Sequence, residues 1–347
     1  MNAARPTMTT VARAAGVSPM TVSNTYNRPD EVAQATREKV LRIAAELGYS
    51  GPDPAGRSLR RRRADTVGVL LTEALPYAFD DPGTVTFLHG LATGLAEAGQ
   101  ALLLLPTEGN AEHASVRNAL VDAFVLASLG TADPVVADVL GRRLPVVTWG
   151  GDRLPGAPRI GVDNARGAQK AAQHLLELGH TRFGIVTFSG PRGLKPAVRQ
   201  RVSGFTRVLR TAGIDPASVP VVDAAQNARF ACARMFTDLL ADPSALADRR
   251  PTAIFAVTDQ LALGVLDGAA SSGVRVPDEL SVVGFDNVEA GASATPSLTT
   301  VAQELFEQGK VAAKVALDLV AGRPAQSQNF DTKLIVRGST APPPERR

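Results

Sequence analysis

Two groups of residues in this chain have the types and spacing that recognition chemistry requires. The first lies in VSPMTVSNTYN, residues 17–27, where Ser18 can cap a helix through its hydroxyl and Pro19 takes the first helical position at no cost in hydrogen bonds. The spacing predicts a helix from Pro19 to about Tyr26 that buries Val22 and Tyr26. The residues on or near the opposite face are Met20, Thr21, Ser23 and Asn24. This set is short and mostly polar, which suits contacts to the edges of nucleic-acid bases.

The second group stands at the ends of predicted strands in the rest of the chain: Thr72, Trp149, Asp163, Thr258 and Asp286. Arg201, near the start of a predicted helix, belongs with them. A carboxylate and a guanidinium that face one cleft can hydrogen-bond to the hydroxyls of a sugar or a similar small molecule. Each residue alone is better explained as a helix cap or a surface ion pair. Placement at strand ends in both halves of the chain favours binding.

The first group needs a small helical scaffold, and the N-terminal sequence predicts one. Thr7 is a candidate cap for a helix with apolar Met8, Val11, Ala12 and Ala15, and Gly16 ends it. A third helix is predicted over residues 33–47, with its apolar side formed by Val40, Ile43, Ala44 and Leu47. Two helices joined by a tight turn form a helix-turn-helix, whose second helix would enter the major groove of DNA. A three-helix bundle that merely packs explains the periodicity equally well.

The distribution of charge separates these alternatives. Residues 1–63 hold eleven Lys and Arg against five Asp and Glu, a net charge of +6, in a chain whose overall net charge is +3. The basic excess includes DPAGRSLRRRRAD, where Pro54 suits a helix start and Arg57 and Leu59 precede four arginines. A solvated linker is one explanation of this run. Its position after a helix-turn-helix favours phosphate contacts.

The second group needs a larger scaffold of alternating strands and helices. Apolar strands are predicted at TVGVLL, ALLLLP, DAFVLA and PVVTW, and again at RFGIVTF, VPVVDA, PTAIFAVTD and LSVVGFD, with helices between them. Continuous apolar strands separated by helices indicate parallel sheets covered on both faces. Two such series predict two doubly wound lobes. Ligands in this architecture bind beyond the carboxyl ends of the strands, here between the lobes.

The segments TMTTVARAAGVSPMTVSNTYN, TREKVLRIAAELGY and PAGRSLR resemble the DNA-binding head and hinge of the lactose repressor (LacI/GalR) family, and the likeness continues through the body. The resemblance implies base reading by the second helix and a leucine of the hinge helix, Leu59, wedged into the minor groove. The residues assigned to DNA are Thr7, Ser18, Pro19, Met20, Thr21, Ser23, Asn24, Asn27, Arg57 and Leu59. Asn24 stands where arginine is commoner in the family, which favours adenine over guanine at the base that it meets.

The same resemblance implies an effector pocket in the body. VTDQLALG, SVVGFDN and RVSGF match its motifs and implicate Thr258, Asp286 and Arg201, and Lys195 stands where purine-binding relatives have an arginine. Ala224 replaces an aromatic platform, whose role falls to Trp149 or to Tyr77 and Phe79. The assigned effector residues are Thr72, Tyr77, Phe79, Trp149, Asp163, Lys195, Arg201, Thr258 and Asp286. In the family the region of Asp80 and Asp81 borders both the effector cleft and the dimer face, which would allow it to gate either one. Solvated loop acids are the simpler interpretation.

Other classes of protein lack support. The single cysteine, Cys232, allows no intrachain disulfide. No run of about 18 apolar residues indicates a membrane span, and the N-terminus lacks the apolar core of a secretory signal. A cytoplasmic location is therefore expected. We find no catalytic set, metal-spaced Cys/His cluster or cofactor motif. His180 is expected to have a structural role. A solute-binding protein of a transport system would share the body, but the basic head argues against it.

The sequence therefore predicts a helix-turn-helix head over residues 1–50, a hinge helix and linker over 51–65, and a two-lobed periplasmic-binding-protein-like core over 66–338. The first lobe is assigned residues 66–162 and 294–322, the second 163–293 and 323–338, and 339–347 a disordered tail. The expected function is that of a homodimeric transcriptional regulator whose affinity for double-stranded operator DNA depends on a small effector such as a sugar. The resemblance implies a repressor. No cofactor or metal is expected.

Overall fold

The computed structural model describes residues 6–51, 63–71, 75–106, 114–189, 193–241 and 250–345, apart from the side chain of Tyr77. The chain divides into two compact units, Met1–Ala64 and Asp65–Arg347, which we call the head and the body. The predicted hinge helix, with Arg57 and Leu59, lies outside the described residues. Thr72 lies outside them as well.

The described part of the head contains three α-helices: α1 Met8–Ala15, α2 Pro19–Asn27 and α3 Gln34–Glu46. The predicted caps are confirmed, since the Thr7 hydroxyl accepts from the Thr10 backbone N–H (3.3 Å) and the Ser18 hydroxyl accepts from the Thr21 N–H (3.0 Å). Gly16 ends α1 at φ +66°, a left-handed conformation that glycine adopts without strain. A 3₁₀ turn, Pro29–Glu31, connects α2 to α3.

The apolar faces of these helices form one small core of Val11, Ala12, Ala15, Val22, Val40 and Ala44. The prediction that Leu47 belongs to this core is wrong, because α3 ends at Glu46 and Leu47 is exposed. Tyr49 takes its place instead: its ring packs edge-to-face on Tyr26, with centroids 6.0 Å apart. The second helix is thereby held on a fixed scaffold with its N-terminal turn exposed.

The first lobe of the body is built on a wholly parallel six-stranded sheet in the order β11-β5-β4-β3-β1-β2. Its strands are β1 Thr66–Leu71, β2 Ala101–Leu105, β3 Ala123–Ala127, β4 Val146–Trp149, β5 Arg159–Val162 and β11 Gln328–Phe330. Its helices are α4 Leu75–Asp80, α5 Pro82–Glu97, α6 Ala114–Asn118, α7 Pro134–Gly141 and α13 Leu305–Val320.

The second lobe is built on another six-stranded sheet in the order β12-β10-β9-β8-β6-β7, parallel except for the antiparallel pair β10–β12. Its strands are β6 Phe183–Thr187, β7 Val221–Asp223, β8 Ala253–Ala256, β9 Ser281–Asp286, β10 Thr299–Ala302 and β12 Lys333–Ile335. Its helices are α8 Asn164–Glu177, α9 Pro196–Thr211, α10 Arg229–Ala241, α11 Asp259–Ser271 and α12 Glu289–Ala292, with a 3₁₀ turn at Pro216–Ser218. The expected pair of doubly wound sheets is confirmed.

The connections between the lobes differ from the predicted boundaries. Residues 299–302, assigned from the sequence to the first lobe, form β10 of the second sheet. The chain therefore returns to the first lobe later than predicted, between β10 and α13. Residues 328–330, assigned to the second lobe, form β11 beside β5. Both strands are short and carry little periodicity, so their sheet is decided by pairing across the fold.

Helix α13 is fixed to the first lobe by close packing on α5. A Cβ atom built on Gly90 would lie 1.9 Å from the Phe306 carbonyl oxygen, and one on Gly309 would lie 2.2 Å from the Phe87 carbonyl oxygen. Only glycine allows two helices to approach so closely at both positions. This contact fixes the position of Gln308 on α13.

The predicted disordered tail, 339–347, is wrong for its first residues. Ser339 is fully buried, donates to the Val282 carbonyl (2.6 Å) and accepts from the Thr299 N–H (2.8 Å). The Ala341 carbonyl lies 2.9 Å from His180 Nε2. The start of the tail therefore lies against the N-terminal ends of β9 and β10, whose backbone groups form hydrogen bonds with it.

Candidate functional site

The N-terminal turn of α2 presents the surface that the sequence predicted, with one correction. Ser18, Pro19 and Met20 are exposed, Met20 at 65%, and Thr21, Asn24 and Asn27 are half-buried. Ser23, predicted to face outward, is only 6% exposed. It follows the buried Val22 on the helix and turns toward the core, where Asn27 Nδ2 donates to its carbonyl (2.9 Å) and hydroxyl (3.2 Å).

Asn24 has a neighbour that the sequence did not suggest. Its Nδ2 donates to Glu31 Oε2 (3.3 Å), and the other oxygen of Glu31 accepts from Arg28 Nη1 (3.0 Å). An amide keeps a second N–H and its oxygen for further bonds. The contact therefore orients Asn24 and leaves it able to pair with an adenine edge.

The body contains an open cleft of about 660 Å³ between its lobes, beyond the carboxyl ends of strands in both sheets. Asp81, Trp149 and Gln308 line it from the first lobe, and Asn164, Arg201 and Asp286 from the second. A smaller cavity of about 450 Å³ in the second lobe is lined mainly by apolar side chains such as Ile185, Phe236 and Leu240. The cleft, unlike this cavity, brings together polar groups that suit a hydroxylated ligand.

A buried ion pair forms the polar centre of the cleft. Arg201 Nη1 donates to Asp286 Oδ1 (3.1 Å) and to the Val257 carbonyl (2.7 Å), while its Nε donates to Asn164 Oδ1 (2.9 Å). The guanidinium also lies over the Phe285 ring, 3.7 Å from its centroid. Arg201 and Asp286 are 6% and 8% exposed. Four contacts therefore fix Arg201, which aligns Asp286 toward the ligand space.

Asp286 is held in an unusual conformation. Its φ is +126° and that of Asn287 is +62°, values that non-glycine residues seldom adopt. The turn is fixed from below by the fully buried Asp259, which accepts from the Val288 N–H (2.9 Å) and from Thr300 Oγ1 (2.5 Å). Burial raises the pKa of Asp286 to about 7, although the Arg201 guanidinium acts in the opposite direction. Gln303 Nε2 also donates to Asp286 Oδ1 (2.7 Å), which leaves Oδ2 for a ligand hydroxyl.

A chain of polar side chains connects the lobes across the cleft. Thr258, the cap of α11, donates through its hydroxyl to Asn227 Oδ1 (2.6 Å), and Asn227 Nδ2 donates to Asp81 Oδ1 (3.3 Å). Asp81 is therefore no solvated loop acid, because it also caps α5 by accepting from the Thr84 N–H (3.2 Å). Nearby, Gln260 Nε2 donates to the Asp80 carbonyl (3.1 Å). Acids that the sequence left open thus lie at the boundary between the lobes.

Trp149 lies in the wall of the cleft, but one face of its indole is already covered. Its ring stacks on Phe87, with centroids 3.8 Å apart, and its Nε1 donates to Gln308 Oε1 (2.9 Å). Lys195, also in the wall, lies with its Nζ 5.5 Å from the Phe188 ring centroid. Desolvation lowers the pKa of Lys195 to about 7.

Two of the assigned effector residues lie elsewhere. Asp163 is exposed and caps α8 by accepting from the Arg166 N–H (2.9 Å), because the carboxylate at the strand end turns to the helix that follows. Phe79 is 65% exposed on α4 and does not line the cleft. The side chain of Tyr77 is outside the described residues. Residues that sequence reasoning missed are Asn164, Asn227, Gln303 and Gln308, of which only Asn164 stood beside a predicted strand end.

Within the described ranges, no group of three or more His, Cys, Asp or Glu residues could hold a metal ion. Among the same residues, no helix is long and apolar enough to cross a membrane. His180, expected to have a structural role, is buried and hydrogen-bonded to Thr252, Ser281 and the Ala341 carbonyl, and that expectation agrees with its contacts.

A head with an exposed helix-turn-helix surface and a two-lobed body with a polar cleft define a ligand-binding DNA-recognition protein, and comparisons with known proteins agree. Residues 7–51 match the model of bacterial regulatory proteins, lacI family, and residues 172–340 match that of a periplasmic binding protein-like domain. The chain is 35% identical to the HTH-type transcriptional regulator Rv3575c of Mycobacterium tuberculosis, over 98% of each chain.

Two solved structures are also similar. One is the complex of the transcriptional regulator CelR with cellobiose, with a TM-score of 0.67, 30% identity, and coverage of 96% of this chain and 100% of that one. The other is the lac repressor dimer bound to operator and the anti-inducer ONPF, with a TM-score of 0.79, 25% identity, and coverage of 97% and 99%. The chain belongs to the LacI family, and it is a DNA-binding transcriptional regulator.

Proposed function

We propose that this regulator is a repressor that binds a pseudo-palindromic operator as a homodimer, and that a small hydroxylated effector in the cleft sets its operator affinity. The observation that carries the proposal is the Arg201–Asp286 pair with Gln303, which lies in a cleft between lobes and leaves one carboxylate oxygen for a ligand. Support also comes from the cellobiose bound to CelR and from the operator bound to the lac repressor dimer. Such a repressor acts in the cytoplasm, where its DNA lies.

In this proposal Pro19, Met20, Thr21 and Asn24 contact base edges. Met20 and Pro19 offer only apolar contact, as with a thymine methyl, whereas Thr21 and Asn24 can hydrogen-bond. Pro19, Met20 and Thr21 lie in the first turn of α2, and Asn24 follows one turn after Met20 on the same side of the helix. Ser18 and Thr7, whose hydroxyls are occupied as helix caps, serve to orient the backbone.

The response to the effector would come from movement of one lobe relative to the other. Among the described residues, three polar contacts cross between the lobes: Asp81 with Asn227 (3.3 Å), the Asp80 carbonyl with Gln260 (3.1 Å), and Asp152 with Arg199 (3.8 Å). A ligand that binds Asp286 and the opposite wall changes the free energy of these contacts. Couplings of this kind typically amount to about 1–3 kcal/mol.

The test of DNA recognition uses the purified full chain. Binding sites are selected from a random double-stranded library, and affinity for the selected sequence is measured by fluorescence anisotropy at fixed salt. Asn24→Ala should lose about 1–3 kcal/mol of discrimination at one base pair of each half-site. Gln326→Ala, which removes an exposed amide from the body, is the matched control. Equal specificity of Asn24→Ala and the wild type would contradict the assignment of α2.

A further inference from the structure

The strongest unexplained feature of the cleft is the amide of Gln308. This side chain is 1% exposed and lies in the cleft wall, and its Nε2 has no hydrogen-bond partner among the described residues. A buried N–H donor without a partner is costly, so native proteins seldom contain one without a functional reason. The missing partner must be an acceptor.

The orientation of this amide is fixed by chemistry. An indole N–H can only donate, so the Gln308 group that meets Trp149 Nε1 at 2.9 Å must be the oxygen. Trp149 is in turn held by its stacking on Phe87. The amide nitrogen is therefore turned away from Trp149 and kept available for the contents of the cleft.

The N-terminus of α9 offers donors to the same cleft. Among the described residues no side chain caps this 16-residue helix, and its first residue, Pro196, has no N–H. The next two residues, Ala197 and Val198, line the cleft, and their N–H groups lie in the first turn, where no intrahelical acceptor exists. A helix N-terminus carries partial positive charge and binds anions.

The charged side chains of the cleft are compatible with an anion at this place. Lys195 precedes α9 and lines the cleft beside Ala197. The negative charge of Asp286 is matched by Arg201, and that of Asp81 is directed to Asn227 and the N-terminus of α5. The cleft thus has donors from both lobes, Gln308 Nε2 on one side and the first turn of α9 on the other, whereas Asp286 Oδ2 is an acceptor for hydroxyls.

We propose that the effector is a hydroxylated anion, a sugar acid or a sugar phosphate. Its anionic group accepts hydrogen bonds from Gln308 Nε2 and from the N–H groups of Ala197 and Val198, with Lys195 beside it, and its hydroxyls bind Asp286. This inference rests on the proposed effector cleft and names the chemical class of its ligand. Gln308 is the specificity-determining residue, and Trp149 positions it.

The experiment measures binding to the full chain by isothermal titration calorimetry, with matched pairs at equal ionic strength. The pairs are D-gluconate with D-glucose, D-galactonate with D-galactose, and D-ribose 5-phosphate with D-ribose. In at least one pair the anion should bind about tenfold or more tightly than its neutral partner, as expected of charge-assisted bonds. The first two pairs report on a carboxylate and the third on a phosphate.

Variants then assign the effect to the named residues. Gln308→Glu keeps an oxygen for Trp149 and replaces the donor with a carboxylate oxygen, so the affinity for the anion should fall about 30-fold or more. If circular dichroism shows that this variant does not fold, Lys195→Gln, at a half-buried position, decides by a loss of about fivefold or more. Gln326→Ala should bind like the wild type.

Three results would overturn the proposal. The first is a neutral sugar that binds as tightly as its acid or phosphate in every pair. The second is unchanged anion affinity in folded Gln308→Glu. The third is that no anion of the panel binds; binding of neutral sugars would then leave the effector cleft standing, whereas no binding by any compound would count against the cleft as well.

Discussion

Replacement of Arg201 by methionine is expected to destabilise the body strongly and in a pH-dependent way. Methionine keeps much of the length of the side chain and its packing on Phe285, but removes the donors to Asp286, Asn164 and the Val257 carbonyl. Removal of one partner from a buried ion pair typically costs about 3–5 kcal/mol, because the other charge stays buried. Since a native protein is stable by about 5–15 kcal/mol, the variant should fold but with a much reduced margin.

The pH dependence follows from the Asp286 carboxyl that remains. Burial already raises its pKa to about 7, and Arg201 is the neighbour that opposes this rise. Without Arg201 the folded-state pKa should rise further above the unfolded value. A raised carboxyl pKa gives stability that is complete below the unfolded pKa and lost as the pH rises through the folded pKa. The deficit of Arg201→Met should therefore be larger at pH 8 than at pH 5.

Urea denaturation of the wild type, Arg201→Met, Asp286→Asn and the double variant, at both pH values, measures this. Asp286→Asn removes the charge and keeps a polar group, so we expect a smaller loss, and the double variant should be more stable than the sum of the two single losses predicts. Additive losses, or a deficit for Arg201→Met that is the same at pH 5 and pH 8, would refute the reasoning. Asp286→Asn is also the gentler variant for studies of the ligand response.

Three further predictions follow from single contacts. A Cβ on Gly83 would lie 3.7 Å from Leu305 Cδ1 and 3.8 Å from Asp286 Oδ2, at ordinary contact distance. Gly83→Ala should therefore raise the unfolding temperature slightly, since alanine is favoured in helices by roughly 0.5–1 kcal/mol. Because the new methyl group lies beside Asp286, titration calorimetry should show weaker effector binding. Burial lowers the pKa of His180, so below the ordinary histidine value the unfolded chain takes up a proton while the folded protein still keeps the ring neutral. The wild type should therefore lose stability there more steeply than His180→Gln, by up to about 1.4 kcal/mol per pH unit in urea denaturation. Ser23→Ala should leave base specificity unchanged in DNA selection and lower head stability by about 1 kcal/mol, because the Ser23 hydroxyl accepts a hydrogen bond from Asn27 within the head. Altered base specificity would show that Ser23 contacts DNA.

Local chemistry made much of the fold predictable. The caps at Thr7 and Ser18, the proline at the first position of α2, and the apolar runs that became β1 to β4 and β6 to β9 all act within a few residues of sequence. The crossings between lobes are not decided by neighbouring residues in the sequence. Whether residues 299–302 pair with β9 or join the first sheet depends on neighbours that are distant in sequence, and the short strands near the C-terminus give no pattern of their own.

The site shows the same division. Arg201, Thr258 and Asp286 stand in motifs and at element ends, where a sequence pattern can point to them. Gln308 is one of many polar residues in a helix, and its meaning depends on the close packing of α13 on α5 and on the indole of Trp149. Asp163 shows the opposite case, in which a carboxylate at a strand end serves only to cap the next helix.

The most direct test of the account is whether the cleft and the DNA surface are coupled. Operator affinity of the full chain is measured by fluorescence anisotropy at fixed salt, with and without a saturating concentration of whichever compound binds best by calorimetry, for the wild type and Asp286→Asn. We predict that the compound changes the operator affinity of the wild type by about 5-fold to 150-fold and that of Asp286→Asn by much less. Equal operator affinity of the wild type with and without the bound compound would contradict the account.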